Sequence, residues 1–262
     1  MPNFKEDLKK KLKIVGVKKN QTLILTTDLL KMFLFFKKKN MSINIDDIIE
    51  AIKDLIGKNG NIIVYSFFWE FFKTKTFNYD NSKSASGSLS NYLLNKKEFI
   101  RTKHPVYSIL AWGKDAKKIY NINHTDCFSK KSPFGYLLKK NSKLLFININ
   151  FKKTGFPFFH IAEQEVNVYY RYYKIFRGEF IKNKKKKKIS FRMFVRKKNY
   201  NILTYYSDSI DKILKNKNSI KKVKAFDSEF TLLNLKTIYD LTIDELKKEQ
   251  KMILRKETKY NQ

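Results

Sequence analysis

A histidine and a glutamate three positions apart, His160 and Glu163 in "FKKTGFPFFHIAEQE", are the residues of this sequence best placed to do chemistry. They follow Gly155 and Pro157, so a helix that starts near His160 puts both side chains on one face, one turn apart. A carboxylate hydrogen-bonded to one imidazole nitrogen fixes the tautomer and raises the basicity of the other, as a general base at neutral pH requires. The spacing alone leaves open the simpler reading, a histidine satisfied by its neighbour.

A second concentration lies in "FIRTKHPVYSILAWGKDAKKI". Its first half holds Arg101, Lys103, the His104-Pro105 pair and Ser108, and three small residues follow, Ala111, Gly113 and Ala116. With only eight Gly, three His and four Pro in the chain, such crowding implies a backbone that approaches something closely. Other chemistries find less support. His104, His124 and His160 lie far apart in sequence, and no HxxxH or CxxC spacing occurs, so no metal is expected. Walker and dinucleotide glycine fingerprints are absent. His124 and Cys127 in "NHTDCFSKKSPFG" could form a nucleophile pair, but a surface histidine beside a buried structural thiol is the commoner arrangement.

The elements that must position these residues are partly legible. Phe4, Leu8 and Leu12 fall at helical spacing, and "QTLILTT" (21–27) reads as a short buried strand. Asn44, with Asp47 three residues on, caps a helix whose face is Ile48, Ile49, Ile52, Leu55 and Ile56 and which Gly57 ends. "NIIVYSF" (61–67) and "SKLLFININF" (142–151) read as strands, and the Ser-rich segment 73–91 as a long loop. Five consecutive lysines inside 181–190 form a loop or hairpin tip, 190–198 alternates like a half-exposed strand, and Thr242-x-x-Glu245 opens a last helix before a frayed tail at 257–262. Helices and strands interleave, so the expected class is α/β, one domain over 1–262 with a central mixed sheet flanked by helices.

The formal charge of +32 calls for anionic partners, but only six of the 56 basic residues are Arg, the preferred reader of phosphates and bases. The five-lysine run lacks interleaved aromatics, so a basic nucleic-acid-binding protein is the weaker alternative and no specific nucleic acid is expected. One cysteine excludes an internal disulfide framework. No signal-peptide core or bilayer-length apolar run is present, so a cytoplasmic protein with no membrane partner is expected.

"RTKHPVYSILAWGKDA" resembles the Arg-Ser-x-His-Pro-x-x-Ser-x-x-Ala-x-Gly-x-x-Ala signature of the aminoglycoside 3-N-acetyltransferase family, with Thr102 in place of the usual Ser. "TLILTTDLL", "IIVYSFFW", "SASGSL", "KKSPFGYL" and the His-x-x-Glu segment resemble further landmarks of that family in the same order. The resemblance implies the family's own fold, distinct from the common acetyltransferase superfamily, and acetyl-CoA (or another acyl-CoA) as co-substrate with no metal. It implies His160 as base and Glu163 as its orienter. Thr26, Thr27, Arg101, His104 and Ser108 would line the coenzyme pocket, the cations facing phosphates, and Trp69, Tyr169, Tyr170 and Arg171 the acceptor site. Thr26-Thr27-Asp28 departs from the usual His-Ser-Ser, and Pro157 from the usual Thr. The segment 165–180 looks more like relatives from surface-polysaccharide clusters, which implies a nucleotide-linked amino sugar as acceptor; an aminoglycoside antibiotic is the alternative. A homo-oligomer is compatible with either.

Overall fold

The computed structural model describes residues 4–150, 157–197, 202–204, 219–250 and 254–256. Its centre is a seven-stranded mixed sheet, ordered β10-β11-β6-β1-β2-β5-β4. Here β1 is Thr22–Thr27, β2 Asn61–Tyr65, β4 Ile100–Arg101, β5 Ile109–Gly113, β6 Lys143–Ile147, β10 Ile220–Ala225 and β11 Ser228–Asn234. β1 runs parallel to both neighbours, with Leu25 beside Val64 of β2 and Leu145 of β6; the outer strands pair antiparallel.

The alternation along β1 divides the core. Leu23 and Leu25 join a cluster under α1 (Phe4–Val15), α2 (Leu30–Lys38) and α3 (Ile45–Ile56). Ile24 points into the other layer, with Phe134 of α7 (Pro133–Lys139), Phe158 of α8 (Pro157–Val166) and Ile238 of α9 (Leu235–Lys248). This two-faced burial gives the sheet its near-continuous apolar strands. α3 carries the expected capping box, Asn44 accepting from the Asp47 amide and Asp47 from that of Asn44.

Several sequence expectations are corrected. Segment 73–91 is not one long loop. It contains part of a short helix α4 (Phe71–Thr74), strand β3 (Thr76–Asn78) and the start of α5 (Ser88–Leu93), because buried Phe77 anchors β3 against Phe180. β3 joins a three-stranded sheet with β7 (Arg171–Lys182) and β8 (Lys185–Arg196). Asn183 and Lys184, both with positive φ, make the turn between β7 and β8, and Lys185–Lys188 open β8 facing solvent. α9 begins at Leu235, capped by Asn234, so Thr242 lies inside it and its hydroxyl bonds back to the Ile238 carbonyl. The tail at 257–262 lies outside the described residues. Among those residues no helix is long and apolar enough to cross a membrane.

Replacing Asn44 by Ala should lower stability by about 1 kcal/mol, the usual worth of an N-cap, read as a shift in urea midpoint at constant slope.

Candidate active site

Chain order reverses at β1: β2 adds on one side and β6 on the other, and the carboxyl ends of strands at such a switch point are where open α/β sheets bind ligands. Three hydroxyl-bearing residues stand at or just beyond these strand ends. Thr27 Oγ1, Tyr65 Oη and Ser66 Oγ are buried and have no hydrogen-bond partner among the described residues. Buried polar groups without partners are rare. Thr26, like Thr27, is half-buried at the end of β1.

β6 leads on to α8, which packs against α7 and α9 and carries His160 and Glu163. Glu163 is fully buried, and among the described residues its carboxylate meets groups from His160, Tyr170 and Arg171. His160 Nδ1 lies 2.7 Å from Oε2, Arg171 Nε 2.8 Å from the same oxygen, and the Tyr170 hydroxyl donates to Oε1 at 3.0 Å. Arg171 Nη2 lies 3.1 Å from His160 Nδ1. Burial drives the Glu163 pKa up, but Arg171 and the hydrogen bonds of His160 and Tyr170 outweigh it, and the carboxylate stays below its ordinary range. An ionised carboxylate only accepts, so Nδ1 of His160 carries the proton and donates. Nε2 keeps its lone pair and makes no hydrogen bond within the described residues. Burial, and then the charge of Arg171, hold the imidazole below its ordinary pKa of 6.5 despite Glu163, so it is neutral at pH 7.

A fifth of the His160 side chain is open to solvent. The Phe128 ring lies 4.9 Å from the imidazole, and Tyr107 lies 4.9 Å from Phe128 and from Phe67. Trp69, 42% exposed, packs edge-on to Tyr107 at 5.1 Å. An aromatic wall therefore connects the end of β2 to the base. Phe128 was not singled out in the sequence, since nothing in "DCFSK" marks its ring among the chain's 23 Phe.

Other expected site residues are turned inward. Arg101 is 3% exposed; its Nε donates to Ser108 Oγ at 3.0 Å, Nη1 to the Ser82 carbonyl at 2.5 Å and Nη2 to that of Ser66 at 2.9 Å. Ser108 also donates to the Ser66 carbonyl. This guanidinium holds the turn after β2 in place. The small residues likewise serve internal packing: Gly113 has φ +112°, and a Cβ there would sit 2.1 Å from the Gly60 carbonyl. Tyr170 and Arg171 hold Glu163 instead of an acceptor, while Tyr169 stays 37% exposed.

The expectation that the histidines lie too far apart to share a site is also corrected. His104 and His124 have ring centroids 4.3 Å apart, and their ligating atoms and the thiol of Cys127 fall within 4.8 Å of one another, all buried. His104 Nδ1 accepts the amides of Val106 (3.1 Å) and Tyr107 (2.9 Å), so its proton sits on Nε2. His124 Nε2 donates to the Cys127 carbonyl at 3.0 Å, leaving Nδ1 bare. One free donor, one free acceptor and a thiol suit a neutral hydrogen-bonding trio. A cation on His104 Nε2 would need the ring proton at Nδ1, where two amides already point. Burial pushes the Cys127 thiol well up and the His124 imidazole down to about 4, so this pair is no nucleophile couple.

The fold and site together define an α/β protein whose cleft, at a switch point between parallel strands, presents a neutral histidine backed by a buried carboxylate. Residues 37–247 match the aminoglycoside 3-N-acetyltransferase family, and the chain belongs to that family. It is 23% identical over 188 residues to the SPbeta prophage-derived aminoglycoside N(3')-acetyltransferase-like protein YokD of Bacillus subtilis. That match covers 63% of this chain and 66% of the relative's length. The crystal structure of YokD shares the fold at a TM-score of 0.74 with 18% identity, covering 95% of each chain. AAC-IIIb, solved as a binary complex with CoASH, gives 0.76 at 15% identity over 94% of this chain and 97% of its own. Sisomicin-bound AAC-VIa gives 0.75 at 16% identity, covering 95% and 99%. The family's fold, expected from the sequence resemblance, is the fold observed.

Replacing Arg101 by Met should destabilise the protein by about 2–4 kcal/mol, since the Ser66 and Ser82 carbonyls lose their donor; chemical denaturation measures it.

Proposed function

We propose that this chain is an acetyl-CoA-dependent N-acetyltransferase in which His160 takes the proton from an acceptor amine. The observation that carries the reading is the half-buried imidazole whose Nδ1 is committed to Glu163 and whose Nε2 is free. An amine is protonated at pH 7 and attacks only after losing a proton, so a neutral base in the cleft is the group the reaction needs. Glu163 then sits against the imidazolium that forms. Acetyl-CoA, when bound, supplies the acetyl group as a thioester. Of the expected coenzyme set, Thr26 and Thr27 are half-buried at the carboxyl end of β1, which supports the reading of a coenzyme site there. Cys127, fully buried, is no acyl carrier, which favours direct transfer.

For the acceptor, the family and its neighbours favour an aminoglycoside-type amine: AAC-VIa was solved with sisomicin and an AAC(3)-IVa mutant with a gentamicin. The reading of a nucleotide-linked amino sugar in surface-polysaccharide synthesis rests on the net charge of +32, which attracts diphosphates and repels polycations. Its other support is weakened, because Tyr170 and Arg171 are engaged with Glu163. Trp69, 42% exposed, supports a stacking contact with an acceptor of either kind.

A thiol-release assay with acetyl-CoA tests the reading. His160→Ala should lower kcat by about 10²–10⁴ with little change in coenzyme affinity, and undiminished turnover would remove His160 from the mechanism. Cys127→Ser should retain activity; its loss, with an acylated thiol in the parent protein, would indicate a ping-pong route instead. In a competition between aminoglycosides and amino-sugar nucleotides, the aminoglycosides are expected to show the higher kcat/KM.

A further inference from the structure

We infer that Arg171 is a positioning residue that takes the place of a proton in the His160–Glu163 couple, holding the base neutral and ready at physiological pH. The inference rests on His160 being the base. Its ground is an arrangement that the His-x-x-Glu spacing does not contain. A single guanidinium, 9% exposed, lies with Nε 2.8 Å from Glu163 Oε2 and Nη2 3.1 Å from His160 Nδ1, while Nη1 donates to the Phe194 carbonyl at 3.1 Å. Arg171 opens β7 directly after Tyr170, so one strand start delivers both partners of the carboxylate.

The charge balance follows from these contacts. A buried Glu163 and a neutral His160 would carry one uncompensated negative charge, and such a pair takes up a proton as pH falls toward neutrality. Whichever partner took it, the couple would fail: a protonated His160 has no lone pair to offer, and a protonated Glu163 no longer fixes the Nδ1 tautomer. Arg171 supplies the positive charge permanently and at the same oxygen, so the proton is not needed. Its Nη2 beside Nδ1 also opposes a second positive charge on the ring, which returns the abstracted proton to solvent or product after each turnover.

Two further carboxylates near the couple have partners of their own among the described residues. Asp126 is held by Arg192 at 2.7 Å and by Gln164 at 3.2 Å, and Glu165 by Lys130 at 2.7 Å and by the Tyr239 hydroxyl. Tyr170 and Tyr107, neutral phenols with pKa values driven up by burial, complete the surroundings, with the uncharged Phe128 ring against the imidazole. Arg171 thus bears on both members of the couple at once.

The test is the protonation midpoint of His160, followed by NMR of ring-labelled histidine and assigned with His160→Ala, together with the acidic limb of the kcat/KM profile. In Arg171→Met both midpoints should rise by about 1–3 units, the scale on which a neighbouring like charge at this range shifts a titration, with activity recovering at higher pH. Arg171→Lys should keep the midpoints within about half a unit of the parent while lowering kcat, because the charge remains and the planar fork is lost. Tyr170→Phe should move them far less than Arg171→Met. Parental midpoints in Arg171→Met, or activity lost equally at every pH, would overturn the inference and leave Arg171 a packing residue. If Arg171→Met does not fold, Arg171→Lys decides: a midpoint raised by a unit or more there overturns it. A His160→Ala protein that turns over normally would instead sink the base assignment, so the two failures are separable.

Discussion

Glu163 places a full negative charge in the interior, and much of the surrounding structure is arranged around that fact. A carboxylate removed from water is strongly destabilising unless its charge is matched and its lone pairs are filled. Here the matching comes from three directions: an imidazole one turn back on α8, a phenol just before β7 and a guanidinium at the start of β7. These groups come from different elements, so α8 and the β7–β8 hairpin are locked in one relative position. Removing any one partner would leave a buried charge short of compensation, which is why the carboxylate constrains the fold as well as the base.

A second polar knot does the same for the opposite wall of the cleft. Arg101 and Ser108 belong to the most recognisable motif in the chain, yet they are directed at the Ser66 and Ser82 carbonyls. Those bonds fix the path that leaves β2, and that path carries Phe67 and Trp69 to the cleft and leaves the Ser66 hydroxyl unpartnered among the described residues. The motif thus acts on ligand binding through the backbone it holds. Its histidine likewise caps its own turn by accepting two amides, and the second ring nitrogen joins the buried trio with His124 and Cys127.

Between the two knots runs the aromatic wall of Tyr107, Phe128 and Phe67. Rings at edge-to-face distances of about 5 Å are stiff, low-entropy packing. They shield the base from bulk water on one side while leaving part of the imidazole open. The high positive charge of the molecule sits elsewhere, on exposed lysines such as those opening β8, and the base is tuned by near neighbours instead of by the overall field.

By itself the sequence determined what depends on neighbours a few residues apart. The capped α3, the strands β1, β2 and β6 and the His160–Glu163 pairing all follow from local periodicity and spacing, and the ordered motifs identified the family. Segment 73–91 and the start of α9 were misread for the same reason. Short-range signals such as serine content or a Thr-x-x-Glu box are overridden when a buried Phe77 or an earlier cap at Asn234 supplies the stronger constraint. Only the tertiary structure decided which way the polar side chains point. Arg101 reads in sequence as a cation for phosphate and Arg171 as one for an acceptor, but each is buried because a carbonyl or carboxylate from a distant segment waits for it. Likewise, His104 and His124 are well separated along the chain and within ring contact in space. A charge's partner is set by packing across the sheet, and no local pattern encodes it.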